Sequence, residues 1–263
     1  MLNYFDDMLI VVISLITAIA CLLALRRFWP ISQRSAHNDI IGWHISVLGT
    51  TYAVIIGFML YAVWTTFQSA DINADNEANS LVNVYRLADG LPDAQKSQVH
   101  RLARDYVDIV IDTEWPAMAQ GDFSLAGHPI IEKLWSTVVQ AKPATFGEQT
   151  SMNLTLEEIS AMTRFRRARQ LESASRLPGI LWFLMILGGL ITTLASCLFG
   201  TENFKLHFLQ VVTLTLLVSL TLVAIADIDR PFQGAVHVYP RGFVRARETF
   251  DHLPIDQMAP RKP

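Results

Sequence analysis

Charge is absent from four stretches of this chain and ordinary in the rest. Residues 8–25, 43–67, 177–199 and 206–226 contain no Asp, Glu, Lys or Arg. A helix needs about 20 apolar residues to cross the hydrocarbon of a bilayer, so each stretch predicts a transmembrane helix. The first also has the length of a signal peptide. However, Asp6 and Asp7 precede it and no small-residue cleavage pattern follows. Arg26-Arg27-Phe28-Trp29-Pro30 comes next, a set of snorkelling cations, interfacial aromatics and a helix stop, so a retained span is expected. The third and fourth stretches, joined by residues 200–205, read as a helical hairpin. Within the third, Gly188-Gly189 with Thr192, Thr193, Ala195 and Ser196 predicts close helix approach.

Between the second and third spans, residues 68–176 show apolar positions at helical spacing and no strand alternation. A helix is expected to run on from the second span to about Ala88, stopping at Gly90-Leu91-Pro92. Another is expected from Asp93 to near Trp115-Pro116, a third over about 129–140 with Pro129 in its first turn, and a fourth over about 154–175. Residues 121–127 and 142–150 read as loops. The tail from about Pro231 is rich in Pro and Arg and reads as irregular, with Pro260–Pro263 disordered. The expected organisation is therefore two transmembrane helices in 1–67, a cytoplasmic helical domain in 68–176 that continues the second, a transmembrane hairpin in 177–226, and a cytoplasmic tail in 227–263. The fold class is all-α, an integral membrane protein.

Composition supports this division. The chain has 263 residues, 51% apolar and 17% charged, where a soluble domain averages roughly 25% charged. A net charge of −3 leaves no electrostatic footprint for nucleic acid. Cys21 and Cys197 both fall in apolar stretches and read as buried small hydrophobes. His44 and His207 lie near span ends, where interfacial placement or proton sensing are the two readings. No histidine has a His or Cys partner at metal spacing, and no P-loop, nucleophile elbow or HExxH is present. No metal, cofactor or enzymatic chemistry is expected. Asn153-Leu154-Thr155 matches a glycosylation acceptor, which is irrelevant in a cytoplasmic loop. The first span alone would place the N-terminus outside. The summed Lys and Arg count favours both termini and the large loop inside, in a multi-pass protein of the inner (plasma) membrane. The basic run Arg164–Arg169 reads as an anchor to anionic lipid or as a specific anion site.

The element from Trp43 to about Ala88 reads as one helix of roughly 45 residues, about 70 Å long. Steps of three and four trace a stripe through Thr50, Val54, Phe58, Tyr61, Thr65, Gln68, Ile72, Asn76 and Asn79. It passes from apolar to neutral-polar without a charge. Asp75 lies about 20° from that line, and Glu77 falls on the opposite side. Several copies around an axis would make a pore, with a constriction at Val54 and Phe58 and a polar vestibule edged by Asp75. Alternatively, Val54 and Phe58 pack within the monomer and the carboxylates are solvated.

This stretch resembles the pore helix of the bestrophins, particularly the bacterial ones, through Leu48-Gly49, Gly57-Phe58, Tyr61, Trp64, Asn83 and Arg86. A second similarity follows the fourth span, where Asp229-Arg230-Pro231-Phe232-Gln233-Gly234 resembles a bestrophin Pro-Phe-Gly segment. Nearly the whole chain is similar to the bacterial bestrophin-like family of membrane proteins. The resemblance implies a pentameric ion channel with a neck at Thr50, Val54 and Phe58. Bestrophins carry bulky apolar residues at all three neck positions, whereas Thr50 and Val54 here are polar or smaller. Met59 stands where bacterial bestrophins have Arg. Ala235-Val236-His237-Val238 replaces the acidic calcium-binding cluster of the animal proteins, so no calcium clasp is implied.

Three functions are therefore carried forward. The first is passive flux of small monovalent ions through a homo-oligomeric pore among membrane lipids. Asp75 and the bacterial relatives favour cations, while a neutral wall with helix dipoles favours anions. The second is a non-conducting scaffold or signalling protein that binds a cytoplasmic partner. The third is a lipid-handling enzyme, for which the sequence offers no nucleophile.

Overall fold

A computed structural model describes residues 4–252, with side chains from Phe5; the tail read as disordered at Pro260–Pro263 lies outside the described residues. Among the described residues the secondary structure is helical, without strands. In chain order the helices are α1 (Tyr4–Phe28), α2 (Ile31–Ser35), α3 (Asn38–Leu87), α4 (Asp93–Ile109), α5 (Trp115–Gln120), α6 (His128–Val139), α7 (Phe146–Ala174), α8 (Gly179–Cys197), α9 (Phe204–Ile228) and α10 (Arg241–His252). Four of them, α1, α3, α8 and α9, are long and apolar enough to cross a membrane. The chain forms two compact units. Of the described residues, one comprises those as far as Thr66, Arg176–Arg230 and Gly234–Val236; the other comprises Phe67–Ser175, Pro231–Gln233 and those from His237. The helix α3 is continuous and contributes to both.

In the first unit, α1 and α9 pack side by side around Ala18, Leu22 and Val211, joined by Cys197 of α8. The α3 segment buries Tyr52, Ile56 and Val63 against Met185 and Ile225. The expected small-residue contact takes a specific form here. A Cβ on Gly188 would lie 2.7 Å from the Tyr52 ring, and one on Gly189 would lie 2.8 Å from its hydroxyl. The glycine pair is thus the seat of an aromatic ring, and the Tyr52 hydroxyl donates to the Met185 carbonyl at 3.0 Å.

The second unit has a large core that draws on α3, α4, α6, α7 and α10, including Leu81, Tyr106, Leu134, Ile159 and Phe243. Three elements differ from the sequence reading. The helix expected to stop near Trp115-Pro116 continues through a π-helical turn, Val110–Glu114, into α5. The wider turn tolerates the N–H that Pro116 lacks and re-phases the helix so that Glu114, Trp115 and Met118 face inward. The helix ends at Gly121, where φ is +84°, with Asp122 N–H donating to the Ala117 carbonyl at 2.9 Å. Next, α7 begins at Phe146 and not near Leu154, because the Thr145 hydroxyl caps the Glu148 N–H and the Glu148 carboxylate accepts from Ala144 N–H. Finally, the tail read as irregular contains α10, which buries Phe243, Ala246 and Phe250 on one face while its arginines stay on the other.

Candidate functional site

The side of α3 that carries the stripe is not used by the core of either unit. Within the first unit, Thr50, Val54, Phe58 and Tyr61 are exposed; Phe58 and Tyr61 are each 67% accessible. Thr65 is half-buried, and its hydroxyl is satisfied by the Tyr61 and Ala62 carbonyls. Within the second unit, Gln68, Ile72 and Asn79 are exposed and Asn76 is half-buried. Phe58 and Val54 therefore do not pack within the protomer, contrary to the alternative drawn from the sequence. Gly49 and Gly57 lie beside the same surface, and a Cβ on either would meet nothing within 4 Å. Glycine costs a helix interior about 1 kcal/mol relative to alanine. Nothing inside the protomer requires these two.

Asp75 is half-buried, with Arg245 of α10 donating to its carboxylate at 3.2 Å. Its charge is thus offset locally, which the sequence did not reveal. The motif residues have mixed placements. Gly57, Trp64 and Arg86 lie on exposed positions of α3. The Asp229 carboxylate accepts the Leu177 N–H at 2.9 Å, tying the end of α9 to the approach to α8. Pro231 and Phe232 are buried in the second unit, where Phe232 meets Trp115 edge-on at 5.4 Å.

A group of ionised side chains that sequence reasoning missed lies at the centre of the second unit. Glu77 and Arg169 are completely buried, and Glu114 and Arg166 nearly so. Arg169 donates to both Glu77 oxygens at 2.6 and 3.0 Å and to Glu114 at 3.0 Å. Arg166 forms a fork on Glu114 at 2.5 and 2.8 Å. The Tyr106 hydroxyl accepts from Arg166 at 2.9 Å and donates to Glu77 at 2.6 Å, linking the two pairs. The Gly127 N–H completes the Glu114 shell at 3.0 Å.

Two carboxylates and two guanidinium groups balance. Burial alone would raise the Glu114 carboxyl, but Arg169 and Arg166 outweigh it and hold the group below its ordinary range. Burial would likewise lower the Arg169 guanidinium, and Glu77 foremost holds it above its ordinary value. Glu77 is the α3 member of this group, on the face opposite the stripe. Bonding it fixes the rotation of α3 and thereby aims Gln68, Ile72 and Asn79 outward. The alternative in which the carboxylates are solvated fails at Glu77, which is buried and paired. The basic run is likewise split, with Arg166 and Arg169 in the core and only Arg164 and Arg167 exposed. One signal was available in the sequence. Glu77 interrupts an otherwise apolar face of Ala70, Ala74, Ala78 and Leu81.

Comparison with known proteins bears on this arrangement. The sequence profile of the Bestrophin-like domain matches residues 12–243. No curated protein matches the chain. The fold is similar to crystal structures of a bacterial bestrophin homologue from Klebsiella pneumoniae. One point variant has a TM-score of 0.68 at 12% identity, covering 94% of this chain and 98% of that one. The form solved by Zn-SAD phasing has a TM-score of 0.66 at 11% identity, covering 93% and 95%. At such identities the likeness is one of fold.

Proposed function

The chain belongs to the Bestrophin-like family, and from that premise we propose that it is a membrane channel passing small monovalent ions through an axial pore built by several copies of α3. The carrying observation is the stripe itself, exposed at Thr50, Val54, Phe58, Tyr61, Gln68, Ile72 and Asn79 and flanked by glycines with open space beside them. In this reading 1–67 and 177–226 span the inner membrane. Residues 68–176 and the C-terminal segment are cytoplasmic, as are both termini. Thr50, Val54 and Phe58 form the neck, and Tyr61, Thr65, Gln68, Ile72, Asn76 and Asn79 line the path below it. A pentamer follows from the family resemblance. Cations are favoured, with Asp75 at the edge of the path and Arg245 tempering it.

The test is ion flux in vesicles reconstituted with the purified chain, together with subunit counting by cross-linking. Phe58→Ala should raise conductance by widening the neck. Asp75→Asn should shift the reversal potential toward anions, and Arg245→Gln should shift it the other way. An oligomer without flux, as wild type and as Phe58→Ala, would refute the channel. A monomer or dimer would favour a scaffold instead.

A further inference from the structure

In contrast to the balanced charges of the second unit, one end of the first unit holds basic side chains that no carboxylate among the described residues pairs. Arg26 lies in the last turn of α1, Arg34 in α2 and His207 in the first turn of α9. Arg34 is 1% exposed and His207 is 1% exposed. Arg34 Nη1 donates to the Cys197 carbonyl at 3.1 Å. Its Nε has no acceptor, nor does Arg26 Nη1, and His207 Nδ1 has no partner; all three atoms are shielded from solvent. The His207 Nε2 lies 3.1 Å from the Ser196 carbonyl, an acceptor only. The proton of the neutral ring therefore sits on Nε2, and protonation makes Nδ1 a donor as well.

The charges of Arg26 and Arg34 act on one another and on the His207 ring. Among the described residues the ion pairs involve other groups, and no carboxylate is paired with any of these three. Burial, and then Arg26, push the Arg34 guanidinium below its ordinary value. Arginine does not escape such a site by losing its proton. An unpaired buried charge of this kind is among the most costly features a fold can carry.

We infer that Arg26, Arg34 and His207 bind a phosphate-class oxyanion, supplied by a phospholipid headgroup or by free phosphate. A tetrahedral oxyanion offers several acceptor oxygens to guanidinium forks, the geometry that arginine satisfies best. The site also lies at headgroup level. Phe28, Trp29, Trp43 and Phe204 are all exposed around these helix ends, the pattern of an interfacial aromatic belt. The Arg26 guanidinium lies over the Phe204 ring, 4.8 Å from the ring centroid, so the belt and the basic group meet directly. This inference is independent of conduction and stands or falls without it.

The experiment uses the full chain, delipidated in a neutral detergent. Its thermal midpoint is followed during titration with inorganic phosphate, with dioctanoyl phosphatidylglycerol, and with dioctanoylglycerol as the phosphate-free control. Native mass spectrometry counts retained phospholipid. The wild type should show a saturable rise with a phosphate-bearing ligand, or one retained phospholipid per chain, and no rise with dioctanoylglycerol. A response to lipid alone assigns a headgroup; a response to both ligands assigns any accessible phosphate. Arg34→Met and Arg26→Gln should each weaken apparent affinity at least tenfold or abolish retention. Without ligand, Arg34→Met should be at least as stable as the wild type. If it fails to fold, Arg26→Gln and His207→Gln carry the test. Wild type and variants alike in both midpoint response and retained lipid would overturn the proposal.

Discussion

Replacing Arg169 by methionine should be among the most damaging single changes in the second unit. The guanidinium is fully buried and makes three bonds to carboxylates, two to Glu77 and one to Glu114. Methionine fills much of the same space with no charge. Arg166 then remains for two carboxylates, and it bonds Glu114, not Glu77. Glu77 keeps only the Tyr106 hydroxyl at 2.6 Å. Removing one partner of a buried pair costs about 3–5 kcal/mol. For a chain of this size each kcal/mol lowers the midpoint by about 2–4 °C, so a fall of roughly 10 °C is expected.

The double variant Glu77→Gln/Arg169→Met restores neutrality, because the Glu114–Arg166 fork stays intact. It should recover at least half of the loss. The assay is thermal unfolding in detergent by tryptophan fluorescence at one scan rate, since large membrane proteins unfold irreversibly. Trp115, whose ring lies 5.4 Å from the Arg169 guanidinium, reports locally. A fall below about 2 °C, equivalent to about 1 kcal/mol or less, would refute the reasoning. So would a double variant no more stable than the single one, since charge imbalance would then not be the cause.

Three further outcomes are expected. Thr145→Ala removes the cap of α7 and should cost about 1 kcal/mol, read as faster hydrogen exchange at residues 146–150. The Glu114 carboxyl is held below its ordinary value of about 4.5, so the folded chain binds fewer protons there than the unfolded one. Its stabilisation is complete above that pH and is lost as pH falls below it. A midpoint series from neutral to acidic pH should therefore drop less steeply in Glu114→Gln than in the wild type. Gly57→Leu meets open space within the protomer and gains up to about 1 kcal/mol of helix propensity. It should keep or raise thermal stability while breaking the oligomer in cross-linking; an intact oligomer would show that no second copy approaches there.

The spans and the stripe were legible because their signals are local. Absence of charge over some twenty residues, and a surface recurring every three or four, need no knowledge of distant contacts. The remainder depended on contacts or on chemistry masked by neighbours. The apolar face of α10 is interleaved with Arg241, Arg245 and Arg247, so a basic tail hid an amphipathic helix. The first turn of α7 exposes Phe146 and lacks an apolar stripe, leaving only the Thr145–Glu148 pair to mark its start. Pro116 is a fair stop signal in an α-helix, but a π-turn removes the conflict. Arg166 and Arg169 looked like membrane anchors because their carboxylate partners, Glu77 and Glu114, are far away in sequence.

The same electrostatic rule separates the two buried clusters. In the second unit each guanidinium meets a carboxylate, the charges cancel, and the group explains itself as the lock on α3. The first unit holds Arg34 as deeply, yet its acceptor is one carbonyl oxygen, and its neighbour Arg26 adds positive charge. A buried cation tolerated without a counter-ion would have to be offset by the packing around it. The Cys197 carbonyl is a weaker partner than a carboxylate, and Nε remains unbonded. Balance in one cluster therefore assigns a structural role, and imbalance in the other points to an anion that completes it. Neutralising either guanidinium distinguishes them by sign. Arg169→Met exposes a deficit and should destabilise the chain, whereas Arg34→Met removes an excess and should leave the ligand-free chain no less stable.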